Sequence, residues 1–139
     1  MADERKIFTD LQNSIVNLDI DGVKIKAVFA YNIKKNFHAK GENFVGYLIT
    51  LDNITYYHTG DTERIPEMKN ISCDIIMLPL GQKYTMNSVD EAAEVVSDVK
   101  AAVAIPMHWG THEGTKEDVT LFTKLVQAKG VSCIIKQPL

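Results

Sequence analysis

What this sequence lacks narrows its reading first. Its apolar runs are only a few residues long, far short of the roughly 20 needed for a membrane-crossing helix. The opening stretch, Met1 to Asp10, mixes both charges and is unlike a signal peptide, so the expected setting is cytoplasmic, with no membrane partner. Charge of one sign is also missing. Fifteen basic residues against eighteen acidic ones leave a net charge of -3. With no basic stripe and no set of stacking aromatics, nucleic acid is not an expected partner. There are two cysteines, Cys73 and Cys133, each inside a strand-like run (Ile71 to Leu80, Val131 to Ile135). Neither has a neighbouring histidine or helix start to lower its pKa, so buried structural thiols are expected rather than a disulfide or a nucleophile. Internal repeats, low-complexity tracts and an interdomain linker are absent as well. At 45% hydrophobic and 24% charged, residues 1–139 fit a single domain.

What is present is an ordered succession of strand and helix signals. Ala2 to Gln12 carries Ile7, Phe8 and Leu11 at helical spacing, which predicts a short helix. Ile15 to Ile20 and Val23 to Phe29 flank Asp21-Gly22, and Phe44 to Leu51 and Ile54 to His58 flank Asp52-Asn53. Both pairs read as hairpins, because turn residues of these types tolerate positive φ. Between them, Tyr31 to Glu42 has no period and reads as a loop. Pro66 limits Thr62 to Asn70 to a turn or a single helical turn. Cys73 to Leu80 is apolar throughout, the pattern of a strand covered on both faces.

Two helices are well marked. Ser88 and Glu91 form a capping box ahead of Val89, Ala92, Ala93, Val96 and Val99 on one stripe. Thr115 with Asp118 starts the other, with Val119, Phe122, Leu125 and Val126 as its apolar stripe and Gly130 as its stop. Strands from Ala101 to Met107 and from Val131 to Ile135 complete the set. The fold class is therefore α/β (α+β), a mixed sheet with helices on one face.

Six side chains could bind a metal or move protons: His38, His58, Asp61, His108, His112 and Glu113. Asp61 and His108 each follow an apolar strand directly, and neighbouring strands that end at one sheet edge would bring them together. Taken alone, each has an ordinary structural role, Asp61 as a turn residue and His108 as a hydrogen-bonded strand terminus. His108 and His112 have the i, i+4 spacing of a helical zinc motif, but Gly110 interrupts and no Glu follows His108, so that reading is rejected.

The order and content of several segments carry a resemblance. Phe37-His38-Ala39-Lys40-Gly41, Tyr57-His58-Thr59-Gly60-Asp61-Thr62, Leu78-Pro79-Leu80-Gly81, Tyr84-Thr85-Met86 and Pro106-Met107-His108-Trp109-Gly110 resemble the later half of the metallo-β-lactamase-fold hydrolases. The branch they most resemble contains uncharacterised metal-dependent hydrolases related to a lactonase acting on phosphorylated ascorbate. The resemblance runs from about Gly22 to Leu139. It implies half of an αββα sandwich and water attack on a lactone, ester or phosphoester at a dinuclear centre, with zinc or manganese as the metal and a small molecule as substrate. It casts Asp61 as the bridging carboxylate and His108 as the last histidine ligand. His38 and His58 become weaker ligand candidates, and Tyr84 and Lys40 are expected to line the substrate cleft. The Lys34 to Lys40 loop is expected to meet an anionic substrate. Where such enzymes place a further histidine after the strand ending at Phe29, this sequence has Tyr31-Asn32, leaving that role vacant or to His38.

The larger departure is the absence of the His-x-His-x-Asp-His cluster that supplies most ligands in such enzymes. Two ligands remain where a zinc site takes three or four from protein. The expectation is weak or no metal and no hydrolysis by this chain alone, as a truncated or split hydrolase. The alternative is a non-catalytic binding or assembly module that has lost its metals. In either case the inner sheet face would be a large apolar surface. A homodimer, or a complementary N-terminal half chain, is expected to cover it.

Overall fold

Asp21 (φ 51°) and Gly22 (φ 85°) turn β1 (Asn17–Ile20) back onto β2 (Val23–Phe29), and Asp52 (φ 50°) and Asn53 (φ 62°) do the same between β3 (Val45–Leu51) and β4 (Ile54–His58). Both hairpins read from the sequence therefore exist, with left-handed backbone at the expected positions. The computed structural model describes residues 17–111 and 113–137. The expected helix over Ala2 to Gln12, the first residues of the first strand and His112 lie outside the described residues.

After β4 the chain changes its mode of connection. A 3-10 turn at Pro66–Asn70 leads to β5 (Ile75–Pro79), helix α1 (Val89–Asp98) leads to β6 (Val103–Met107), and helix α2 (Lys116–Gln127) leads to the short β7 (Ser132–Cys133). Among the described residues, seven strands form one sheet in sequence order. The pairs from β1 to β4 are antiparallel and those from β4 to β7 parallel. Parallel neighbours need long crossovers; the two helices supply those to β6 and β7, and the segment with the 3-10 turn supplies the one from β4 to β5.

Both helices begin where the sequence says. The Ser88 hydroxyl accepts the Glu91 N–H at 3.0 Å and the Thr115 hydroxyl accepts the Asp118 N–H at 3.1 Å. The box at Ser88 is half formed, because the Glu91 carboxylate turns to the N–H and side chain of Asn87 instead. The apolar stripes then bury Val89, Ala92, Ala93, Val95 and Val96 from α1 and Val119, Phe122 and Val126 from α2. They pack on Tyr57, Ile76, Leu78 and Ala104 of the sheet.

Register shows which face this is. Leu48, Tyr57, Ile76 and Ala104 are cross-strand partners in one row, and the helices lie on their side. The rows pointing the other way are Ala27, Tyr47, His58, Met77 and Ile105, and Ile25, Ile49, Tyr56, Ile75 and Val103. These are half-exposed or exposed. The expectation that the β5 run is covered on both faces is therefore corrected. Ile76 and Leu78 are fully buried, while Ile75 and Met77 are only partly so.

Candidate metal and substrate site

Strands β4, β5 and β6 run parallel, so their C-terminal ends share one edge of the sheet. Asp61 follows β4, Gly81 follows β5 and His108 follows β6. Strands lie about 4.8 Å apart, so β4 and β6 are separated by about twice that across β5. The two side chains close the gap: Asp61 Oδ1 lies 3.4 Å from His108 Nε2. They open onto a cavity of about 490 Å³ lined by Phe37, His38, Asp61, Tyr84, His108, Thr111 and Glu113.

The backbone is bent to make this arrangement. His108 and His38 both have positive φ, 64° and 54°, a conformation that costs a non-glycine residue of order 1 kcal/mol and concentrates at functional sites. Gly60 (φ 66°) turns the chain just before Asp61 and sits against the Val45 carbonyl, 2.8 Å from where a Cβ would stand.

The separation of Asp61 and His108 is itself informative. At 3.4 Å it is an ion-pair contact without hydrogen-bond geometry, whereas the contact of the other ring nitrogen with Glu113, at the same distance, has that geometry. Two donors each about 2.05 Å from a tetrahedral ion would lie about 3.3 Å apart, so the observed spacing suits two ligands of one metal. The second nitrogen of the same ring supports that fit. His108 Nδ1 lies 3.4 Å from Oε1 of Glu113, a carboxylate whose side chain is 3% exposed. A carboxylate on the far side of an imidazole is the usual support for a metal-binding histidine. Glu113 is thus placed to hold the ring, as it would if His108 bound a metal. Among the described residues, no group of three or more His, Cys, Asp or Glu side chains could hold a metal ion.

Of the weaker candidates, His38 lines the cavity, with its ring tilted on Phe44 at 4.3 Å between centroids. Its Nδ1 is buried with no hydrogen-bond partner among the described residues. His58 points to the open sheet face beside Tyr47 and Met77, where its Nδ1 accepts the Gly60 N–H at 3.1 Å. Tyr84 lines the cavity against Phe37, 5.5 Å between ring centroids. Lys40 does not line it. Its ammonium binds Glu67 at 2.9 Å and lies 4.9 Å from the Tyr31 ring centroid. The Glu67 carboxylate, with the Tyr31 hydroxyl, holds the Lys40 pKa above its ordinary value.

The loop from Tyr31 to Glu42 is ordered by residues that sequence reading missed. Glu63, 1% exposed, accepts the N–H groups of Ile33, Lys34 and Lys35 at 3.0, 3.0 and 3.2 Å. The Lys35 ammonium stands 3.4 Å away and also reaches the Thr85 carbonyl and Asn87 Oδ1. Burial pushes the Glu63 carboxyl up, but the Lys34 and Ile33 N–H groups, the Asn87 side chain and the Lys35 charge outweigh it and hold it below the usual range. Asn32, where the resemblance leaves a ligand position vacant, serves as a clamp. Its amide donates to the carbonyls of Phe37 (3.0 Å) and Tyr84 (2.8 Å), tying together the two loops that line the cavity. The backbone groups that meet Glu63, and the Tyr84 carbonyl that meets Asn32, are 28 or more residues away in sequence, so no local pattern signals them.

The mixed sheet, the helices on one face and an Asp-His pair at parallel strand ends define a metallo-β-lactamase-type fold. The family described as the Beta-lactamase superfamily domain matches residues 4–108, and the chain belongs to it. Among curated relatives, a UPF0173 metal-dependent hydrolase of Thermoplasma volcanium is 35% identical over 122 residues, 85% of this chain and 54% of that protein. One from Archaeoglobus fulgidus is 37% identical over 99 residues, 67% and 42% of the two chains. The crystal structure of a candidate metal-dependent hydrolase from Parabacteroides distasonis superposes with TM-score 0.79 at 30% identity, covering 91% of this chain and 56% of that one. The metallo hydrolase Igni18 of Ignicoccus hospitalis shares the fold, with TM-score 0.72 at 22% identity over 96% and 63%. The chain spans about half the length of the curated relatives it matches.

Proposed function

We propose that this chain carries part of the active site of a metal-dependent hydrolase, with Asp61 and His108 as ligands of a divalent ion, zinc or manganese. The observation that carries this reading is the 3.4 Å spacing between Asp61 Oδ1 and His108 Nε2 at the mouth of the cavity. The substrate class is a small lactone, ester or phosphoester. Such a metal, when bound, polarises the scissile group and makes a bound water acidic near neutral pH. The residues of this chain do the rest: Asp61 and His108 hold, Glu113 orients, and Phe37 and Tyr84 offer an apolar wall to the substrate. Lys35 and Lys40 are paired with Glu63 and Glu67. The anionic-substrate role expected of their loop therefore has no support from these two ammonium groups.

The remaining ligands come, in this reading, from polypeptide seated on the open sheet face, either a complementary half or a second copy of this chain. The open apolar rows support such an association. Two unpaired cysteines support a reducing, cytoplasmic setting, and no helix among the described residues is long and apolar enough to cross a membrane.

Titration of the chain with zinc and with manganese, followed by calorimetry, tests the assignment. Weak binding that Asp61→Ala and His108→Ala each abolish is the expected result. Binding that survives both substitutions overturns it. A second reading, a metal-free binding module, is favoured by the shortage of ligands among the described residues. Wild-type protein that binds neither metal, alone or with its partner on the open face, would select that reading.

A further inference from the structure

Glu113 lies in the loop between β6 and α2, yet its carboxylate is buried beneath the turn that follows β5. Oε2 accepts the Tyr84 N–H at 2.9 Å, while Oε1 accepts the Thr85 hydroxyl at 3.1 Å and faces His108 Nδ1 at 3.4 Å. Gly81 makes the space. A Cβ at that position would stand 2.0 Å from Glu113 Cδ and 2.2 Å from Oε2, closer than any real contact. Gly81 is not held at a positive φ, so the need for glycine here is the room it leaves for the carboxylate.

We infer that Glu113 is a positioning residue that fixes the tautomer of His108, keeping the ring proton on Nδ1 and the lone pair of Nε2 directed at Asp61, with Gly81 as its accomplice. The inference rests on the proposed ligand role of Nε2 for its purpose, but not for its geometry. Two carboxylates compete for the ring proton, one at each nitrogen and both at 3.4 Å. They differ in environment: the Asp61 side chain is 41% exposed and that of Glu113 is 3% exposed. Water screens the first and hardly reaches the second, so the attraction of the buried carboxylate for the N–H is the stronger. Free histidine prefers the proton on Nε2, and this site reverses that preference. An Nε2 stripped of its proton is the form a metal requires.

Nitrogen-15 NMR of the metal-free chain, at a pH where the His108 ring is neutral by its own shifts, reads the tautomer directly. Wild type should show the Nδ1–H form. In Glu113→Gln the amide oxygen is claimed by the Tyr84 N–H, which leaves the NH2 group facing His108 Nδ1. The ring should then switch to Nε2–H, and zinc affinity should fall 10- to 100-fold. Gly81→Ala evicts the carboxylate while leaving Glu113 in the sequence, and should produce the same switch. Combined with Glu113→Gln it should add nothing, because both act through one group. A purely structural role, tethering the Tyr84 loop, would change thermal stability but leave the tautomer alone. Wild type in the Nε2–H form, or a tautomer unmoved by either variant, overturns the inference. A tautomer that switches with no change in zinc binding leaves the positioning role intact and counts instead against His108 as a ligand.

Discussion

The two faces of this sheet are built to different rules. On the helix side, apolar residues gather at the core: Tyr57, Ile76, Leu78 and Ala104 are fully buried there, and Val28 and Leu48 pack partly buried against them. On β2 and β3, beyond the reach of the helices, the same side carries Lys24, Lys26 and Thr50, with Thr55 beside them on β4. Those are residues for water. The opposite side makes no such change. Apart from His58, it is apolar from Ile25 and Ala27 through Tyr47, Ile49 and Tyr56 to Ile75, Met77, Val103 and Ile105, yet it stays partly exposed. Alternation in an antiparallel strand normally gives one wet face and one dry one. Here the dry face of β2 and β3 is the one without helices. The covered side behaves as a finished core, while the open side stays apolar and partly exposed, the surface that the proposed association would cover.

The sharpest way to break that contrast is to attack the covered side. Phe122 of α2 is fully buried in the hydrophobic core, and Phe122→Ala should destabilise the chain by about 3–5 kcal/mol through a cavity that cannot collapse. Urea unfolding measures it. A loss below about 1 kcal/mol would mean that the helix face is not the seat of stability.

Next in size is the buried carboxylate that orders the loop at the site edge. Glu63→Ala leaves three N–H groups without their acceptor and the Lys35 ammonium without its counter-charge, and should cost about 3 kcal/mol. Glu63 also makes stability depend on acid. Its folded pKa lies below the ordinary 4.5, so its contribution is complete above that value and is lost as pH falls from about 4.5 through the lower folded pKa. Thermal unfolding of the wild type should therefore steepen on that acid limb, and Glu63→Gln should flatten it. Equal acid limbs in the two proteins would count against the clamp.

The sequence made this architecture legible wherever the controlling interaction is local. Turn residues at Asp21-Gly22 and Asp52-Asn53, caps at Ser88 and Thr115, and apolar stripes in α1 and α2 each act within a few residues, and each appears where expected. The meeting of Asp61 and His108 was legible for a related reason, since parallel strands deliver their ends to one edge. What stayed hidden depends on contacts between distant parts of the chain. Nothing near Glu63 announces three backbone donors from residues 33 to 35. Nothing near Gly81 announces a carboxylate from residue 113. The apolar run of β5 misled in the opposite way. Its composition reports that both faces are suited to burial, which is a different matter from both being buried in this chain.

The smallest effect tests the open side. Tyr47 is 41% exposed and pairs across the strands with Ala27 and His58. Threonine keeps the β propensity of the site while removing the ring. In the isolated chain Tyr47→Thr should change unfolding free energy by less than about 0.5 kcal/mol, because a half-solvated ring contributes little to the folded monomer. Its effect belongs to association. If the open rows pack against a second copy or a complementary half, wild-type chain at micromolar concentration should sediment above monomer mass or bind an apolar dye, and Tyr47→Thr should weaken either signal several-fold. The pairing of negligible stability cost with a clear association loss separates an interface from a core, since a core residue would show both losses together. A wild-type monomer that binds no dye would mean that the open face needs no partner, and the contrast between the two sides of the sheet would lose its meaning.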